Sequence, residues 1–319
     1  MLKKDAVILL NMGGPNDLNE VELFLKNMFN DPNILTMKSS LLRRFVAGMI
    51  VFLRTESSQE IYRTIGGKSP IVDLTKEIVK KLQEELGKET IVDFAMRYTP
   101  PFADEVIERL KAEEIAKIYL IPMYPQYSTT TTKSSLEDFY ARFEKSGMNA
   151  EIVDLDSYYD NESYNKAVLE RIKEGMENEK YEEYEIIFSA HGLPQKIVDA
   201  GDVYQEQIIK NVDILKEMMQ ENGMDFQAVH LAYQSKVGPM KWLEPSLGDA
   251  LESMKDKKVI IYPIAFTVDN SETDYELAME YEEVAQEIGV KEYKVCRCVN
   301  DHPLFIQALT ELYEKMKSA

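Results

Sequence analysis

Glu185–Pro194 reads EIIFSAHGLP. The run Ile186-Ile187-Phe188 is continuously apolar, as in a strand buried on both faces, and Gly192 and Pro194 stop it. One of only three histidines in the 319 residues, His191, stands at the mouth of that strand. The chain carries a second version of this stretch near its start. Val7–Pro15, VILLNMGGP, is again an apolar strand run closed by glycine and proline. With the glycines aligned, Met12 falls opposite His191. A later pair, KIYLIPMYPQYS and KVIIYPIAFTVD, places Pro122 opposite Pro263. Such repetition predicts two similar α/β halves with a cleft between them.

The remaining pattern supports this. Candidate strands lie at Ala6–Leu10, Thr90–Ala95, Lys117–Ile121, Glu151–Leu155, Glu185–Phe188, Ala228–Ala232, Lys258–Ile261 and Glu292–Cys296. Longer charged stretches with helical spacing separate them, among them Asp73–Leu86, Pro101–Ala112, Tyr164–Glu177 and Asp202–Glu221. Alternation of this kind predicts parallel sheets. The polar segment YYDNES, Tyr158–Ser163, marks the boundary, giving domains 1–160 and 161–319, with the last helix free to pack back on the first domain. In open α/β sheets ligands bind at the carboxyl ends of strands, where all four repeated segments sit.

Composition narrows the function. A net charge of −19 argues against binding nucleic acid, whose phosphates such a surface repels. Two cysteines, Cys296 and Cys298, are too few for a four-cysteine iron–sulfur centre and read as free thiols of a reducing compartment. NMGGP lacks the G-x-G-x-x-G spacing, and IGGKSP (Ile65–Pro70) is no P-loop, so nucleotide binding is not expected. No segment reaches the roughly 20 apolar residues that span a bilayer. The apolar run Phe45–Leu53, FVAGMIVFL, is flanked by Arg43, Arg44 and Arg54. It reads either as a buried or pocket-lining helix or as a shallow membrane contact with arginines at anionic headgroups.

Phe266–Tyr281, FTVDNSETDYELAMEY, follows a strand and a proline turn. Glu272, Glu276 and Glu280 recur every fourth residue, and a helix stacks them on one face, with Asp269 a turn earlier. Like charges in that array repel, so a cation, protons or basic groups must offset them. Periodicity alone favours a solvated acidic face, and a lone histidine is often a satisfied polar residue. Placed together at strand carboxyl ends, a histidine titrating near pH 6.5 and carboxylates make a proton-transfer site. No HExxH, CxxC or His-x-His spacing marks a tight metal site.

LLNMGGP, GGKSPI, FAMRYTPP, YPQYSTTTTKSS, FSAHGLP, YQSKVGPMKWL and FTVDNSETDYE occur in the order found in ferrochelatases, over essentially the whole chain. Each motif is weak; seven in order are highly specific. The resemblance implies two Rossmann-like domains with parallel sheets and a porphyrin cleft between them. It implies a lyase that inserts Fe2+ into protoporphyrin IX to form protohaem, the last step of one haem pathway. It implies no permanently bound cofactor, since Fe2+ is substrate. The cysteine tail of cluster-bearing members has no counterpart, so no iron–sulfur cluster is expected.

Carried over by position, the resemblance makes His191 and Glu272 the catalytic pair and transient iron site. Asp269, Glu276 and Glu280 become a proton or metal relay on a helix with a π-type widening. It makes Met12, Arg97, Tyr98, Tyr124, Gln126, Tyr127, Ser128 and Phe266 porphyrin contacts. Arg97, Tyr127 and Ser128 steer propionates. Trp242 either packs on the ring or belongs to the core. Enzymes using coproporphyrin usually have tyrosine at the Met12 position and a different loop for YPQYS, which favours protoporphyrin. Departures are Asn270, where many relatives have a second histidine, Asp274 in place of an apolar residue, and Lys68 in the glycine run. The region of Phe45–Leu53 forms the family's apolar lip, which strengthens peripheral membrane contact and places the protein in the cytoplasm or on the inner face of its membrane. The alternatives are a coproporphyrin ferrochelatase, a cobalt or nickel chelatase of another tetrapyrrole, and a non-catalytic haem carrier.

Overall fold

In the computed structural model, which describes residues 4–236, 238 and 240–318, each expected strand is present. They are β1 (Lys4–Asn11), β2 (Thr90–Met96), β3 (Ile115–Pro122), β4 (Glu151–Asp154), β5 (Tyr184–His191), β6 (Ala228–Gln234), β7 (Lys258–Pro263) and β8 (Glu292–Val295). They form two parallel four-stranded sheets, β2-β1-β3-β4 and β6-β5-β7-β8. The strand order is the same in both, so the internal repeat of sequence is a repeat of topology. β1 and β5 are the equivalent inner strands, and the most apolar runs belong there because helices cover both faces.

The chain divides into two compact units. One comprises Met1–Tyr124, Ser128–Ser157 and Leu309–Ala319; the other comprises Pro125–Tyr127 and Tyr158–Ala308. In the first, Ala6, Ile8 and Leu10 of β1 pack with Ile118 and Leu120 of β3 under helices Ala103–Lys111 and Ser134–Ser146. Each large aliphatic side chain withdrawn from water there contributes about 1.5–3 kcal/mol. The last turns of helix Pro303–Ser318 join this unit: Tyr313 stands edge-on to Tyr119 at 5.0 Å, and its hydroxyl reaches Asp5 and Thr90. In the second unit Ile187, Val259 and Ile261 pack against Leu247, Leu251 and Leu277.

The equivalent glycines of the repeat are required by close approach. Gly13 has φ +83°, and a Cβ there would lie 2.4 Å from the Thr99 hydroxyl. A Cβ on Gly192 would lie 2.7 Å from the Gln234 carbonyl oxygen, which accepts the Gly192 N–H at 2.9 Å. Alanine fits neither place, so the chain leaves both strands tightly beside their neighbours.

Candidate active site

β5 runs three residues past its apolar run Ile186-Ile187-Phe188 at the carboxyl end. His191 is its last residue, paired in register with Gln234 at the end of β6. The loop that follows is tied back: Gln195 N–H donates to the Lys241 carbonyl and Leu243 N–H to that of Leu193, which sets Trp242 beside Gly192. The Tyr204 hydroxyl donates to the His191 carbonyl at 2.9 Å. These bonds fix the backbone from which the imidazole projects.

Glu272–Glu280 is a π-helix, continued as an α-helix from Tyr281. Asn270 starts it: its carboxamide oxygen accepts the Glu272 N–H at 2.8 Å. The wider turn brings Glu272 and Glu276 toward the end of β5. His191 Nδ1 lies 2.8 Å from Glu272 Oε2. Gln234 Nε2 and Ser235 Oγ each reach that oxygen at 3.1 Å, and Ser235 Oγ also lies 2.6 Å from Glu276 Oε2. Ser189 donates to Gln234 Oε1 at 2.7 Å and so orients the amide.

The structure thus joins His191, Glu272 and Glu276. Asp269 is elsewhere. It is buried, and its oxygens accept from the Cys298 N–H and the Asn300 carboxamide, both at 2.7 Å. It ties the loop before the π-helix to the loop after β8. Cys298 is buried beside it and Cys296 is buried two residues earlier; both are free thiols, and burial pushes both up. Glu280 lies exposed at the far end of the ladder. Gln234 and Ser235 are the functional residues that sequence reasoning missed. Extending the strand Ala228–Ala232 by two residues would have set Gln234 opposite His191.

Electrostatics differ from a free histidine beside free acids. Burial opposes the His191 cation, but the Glu272 carboxylate outweighs it and lifts the imidazolium to about 9. The side chain keeps 39% of its surface accessible, so solvent tempers that attraction. Burial works against the charge of Glu272, yet His191 and the Ser235 and Gln234 donors hold it below the usual range. Burial, then the charge of Glu272, pushes Glu276 up to about 7. At neutral pH the resting pair is therefore imidazolium and carboxylate, and Glu276 holds a proton more readily than a free acid does.

The two raised groups act oppositely on stability. For His191 the folded state favours the cation, so its contribution is complete below about pH 6.5 and is lost as pH rises through about 9. For Glu276 the folded state favours the neutral acid, so stability falls as pH rises from about 4.5 through about 7. Glu276→Gln is expected to raise Tm by a few degrees at pH 8 and to leave it nearly unchanged at pH 4. Thermal melts at the two pH values check this; an equal shift at both would refute it.

The other expected porphyrin residues are placed as follows. Met12 directly follows β1, the position equivalent to His191, and is half-buried. Arg97 is held by three groups: its Nε donates to Ser134 at 2.9 Å, Nη2 pairs with buried Asp31 at 3.0 Å, and Nη1 lies 3.4 Å from Asp138. Asp31 also accepts from the Tyr98 hydroxyl at 2.9 Å and from Ser134. Tyr124 is buried against Ser135. Gln126 is buried, donating to Asn211 at 2.9 Å, and the Tyr127 N–H donates to Gln207 at 2.7 Å. Ser128 caps the π-helix Thr129–Lys133 by accepting from the Thr130 N–H. Phe266 is half-buried after the Pro263 turn. Lys68 pairs with Asp73, and Thr273 donates to Asp274.

The apolar run Phe45–Leu53 lies in helix Ser40–Thr64. Phe45, Phe52 and Leu53 are 66%, 85% and 71% exposed, while Ala47 and Val51 face inward. A groove of about 780 Å³ beside it is lined by Lys26, Arg43, Arg44, Val51 and Phe52. No helix among the described residues is long and apolar enough to cross a membrane. Nor do three or more His, Cys, Asp or Glu side chains among them gather as a resident metal site.

Two parallel sheets of one order, each wound with helices, define a Rossmann-like α/β protein, with a histidine–carboxylate pair at a strand end as its candidate proton-transfer site. The structure of SirB from Bacillus subtilis with Fe3+ shares the fold, with a TM-score of 0.60 over 98% of this chain and 95% of that one, at 13% identity. The ferrochelatase family model matches residues 4–317, and the chain belongs to the ferrochelatase family. It is 61% identical to the ferrochelatase of Sulfurimonas denitrificans, over 99% of this chain and 100% of that protein. It is 51% identical to that of Nitratiruptor sp., over 98% and 99% of the two chains.

Proposed function

We propose that this chain inserts Fe2+ into protoporphyrin IX to form protohaem. The observation that carries the reading is the 2.8 Å contact between His191 and Glu272 at the carboxyl end of an inner strand. Insertion replaces the two N–H protons of the macrocycle with one Fe2+, so the site must accept protons while it admits a dication. His191 and Glu272 receive both, as catalytic pair and as transient iron ligands. The resting imidazolium gives up its proton as Fe2+ approaches, because the dication cancels the attraction of Glu272. Glu276 takes that proton and Glu280 passes it to solvent, and the imidazole so freed accepts the two pyrrole protons in turn and hands each out by the same acids.

Porphyrin contacts come from Met12 and Phe266 through apolar surface and from Tyr127 and Ser128 through polar groups. Arg97, Tyr98, Tyr124 and Gln126, already bonded within the protein, hold those contacts in place. A bent macrocycle exposes its nitrogen lone pairs, at a strain of about 1–5 kcal/mol met by binding elsewhere. Asp269 serves by anchoring the loop that carries Phe266. The decisive test is catalytic loss of protoporphyrin fluorescence with Fe2+ under anaerobic conditions. Binding without turnover would favour a carrier, and turnover only with coproporphyrin or only with Co2+ or Ni2+ would move the assignment to those chelatases.

The exposed face of helix Ser40–Thr64 docks on an anionic bilayer surface. Phe45, Phe52 and Leu53 enter the headgroup boundary while Lys26, Arg43 and Arg44 meet lipid phosphates. Our reading of its location is the cytoplasm, with peripheral contact on the inner face of the membrane. Phe52→Glu is expected to abolish sedimentation with vesicles rich in phosphatidylglycerol. Unchanged sedimentation, or none by the parent protein, would overturn the docking.

A further inference from the structure

The Glu272 carboxylate receives all its hydrogen bonds among the described residues on one oxygen. His191 Nδ1, Gln234 Nε2 and Ser235 Oγ converge on Oε2 at 2.8, 3.1 and 3.1 Å. Oε1 has no protein partner among those residues. The hydroxyl of Ser235 is also 2.6 Å from Oε2 of Glu276, whose other oxygen is likewise unpartnered. Of the two carboxylates Gln234 touches only that of Glu272, whereas among the described residues Ser235 Oγ lies within hydrogen-bond reach of both, donating its one proton to one and accepting from the other when that acid is protonated. Its backbone has φ +65°, the left-handed region that a residue with a Cβ seldom adopts. Strain of this kind persists where surrounding structure enforces it, often at functional sites. Here it occurs at the first residue after β6 and directs a hydroxyl at two acids on the π-helix.

We propose that Ser235 is a positioning residue for metal insertion: its hydroxyl fixes the rotation of the Glu272 and Glu276 carboxylates together and keeps one oxygen of each open to the entering Fe2+. The role rests on the chelatase reading above. It differs from a packing role because the hydroxyl, not the bulk of the side chain, carries it. A glycine relieves the backbone strain and removes only the hydroxymethyl group, whereas an alanine retains the Cβ.

Ser235→Ala and Ser235→Gly, each in the full chain, test it by anaerobic steady-state kinetics and thermal melts. Both are expected to lower kcat about tenfold and to raise KM for Fe2+ severalfold, with KM for protoporphyrin within twofold of the parent. The glycine variant is expected to melt no lower than the parent, which a purely structural serine would not allow alongside lost activity. On a Glu272→Gln background, Ser235→Ala is expected to cost less than about threefold, because a residue acting through Glu272 has little left to act on. Parental kcat and Fe2+ KM in the glycine variant would overturn the role, as would a full tenfold loss on the Glu272→Gln background. A parent protein that turns over no porphyrin would instead overturn the chelatase reading, and this role with it.

Discussion

His191→Ala is expected to slow iron insertion by about 10²–10⁴-fold, the range spanned by a positioned acid–base group, while protoporphyrin affinity stays within about threefold. The imidazole is the last side chain of β5 and makes its polar side-chain contact with Glu272, so its loss leaves the fold of the strand intact. Tyr204 bonds its carbonyl rather than its ring, and Gly192 and Gln234 pair through backbone. None of these depends on the imidazole. Quenching of porphyrin fluorescence measures binding, and anaerobic appearance of metalloporphyrin measures turnover. Turnover within a few-fold of the parent would remove the histidine from the chemistry.

The second large effect is at the acid. Glu272→Gln is expected to lose about 10²-fold or more, and Glu280→Gln less than threefold. Glu272 supplies the counter-charge that lifts His191 to about 9, and its amide replacement takes that away. His191 then titrates lower and is largely neutral at pH 7, so its ring resonances should move through their transition at lower pH in the variant. Glu280 is exposed, and its charge acts on Glu276 rather than on His191 or Glu272. Comparing kcat of the two variants, with the histidine titration followed by NMR, separates a graded site from a uniformly solvated acidic face. Equal small losses would favour the latter.

The architecture was legible because both inner strands are buried on two faces. Such strands read as unbroken apolar runs, and the runs in VILLNMGGP and EIIFSAHGLP repeat with their closing glycines. His191 and the acidic ladder were visible for a related reason, since strand ends and helical periodicity are local properties. What sequence did not reveal depends on register and rotation. Gln234 meets Glu272 only because β6 pairs with β5 two residues beyond its apolar run. Ser235 meets both acids only through a left-handed turn that serine does not advertise. Asp269 has the spacing of a ladder member but precedes the π-helix, and its oxygens are satisfied by the loop after β8. Charge pairing was equally hidden: an imidazole expected to titrate near neutrality sits against a half-buried carboxylate and holds its proton well above it.

The two buried thiols, Cys296 and Cys298, have a use that concerns folding rather than catalysis. The chain has two cysteines, and both belong to the second unit. Their protons are held tightly and their sulfurs are covered, so a thiol reagent at neutral pH must wait for that unit to open. The wild-type protein therefore carries its own clock for opening of the unit that holds His191 and Glu272. Labelling rates followed with and without porphyrin would show how firmly the ligand shuts it, with no engineered probe.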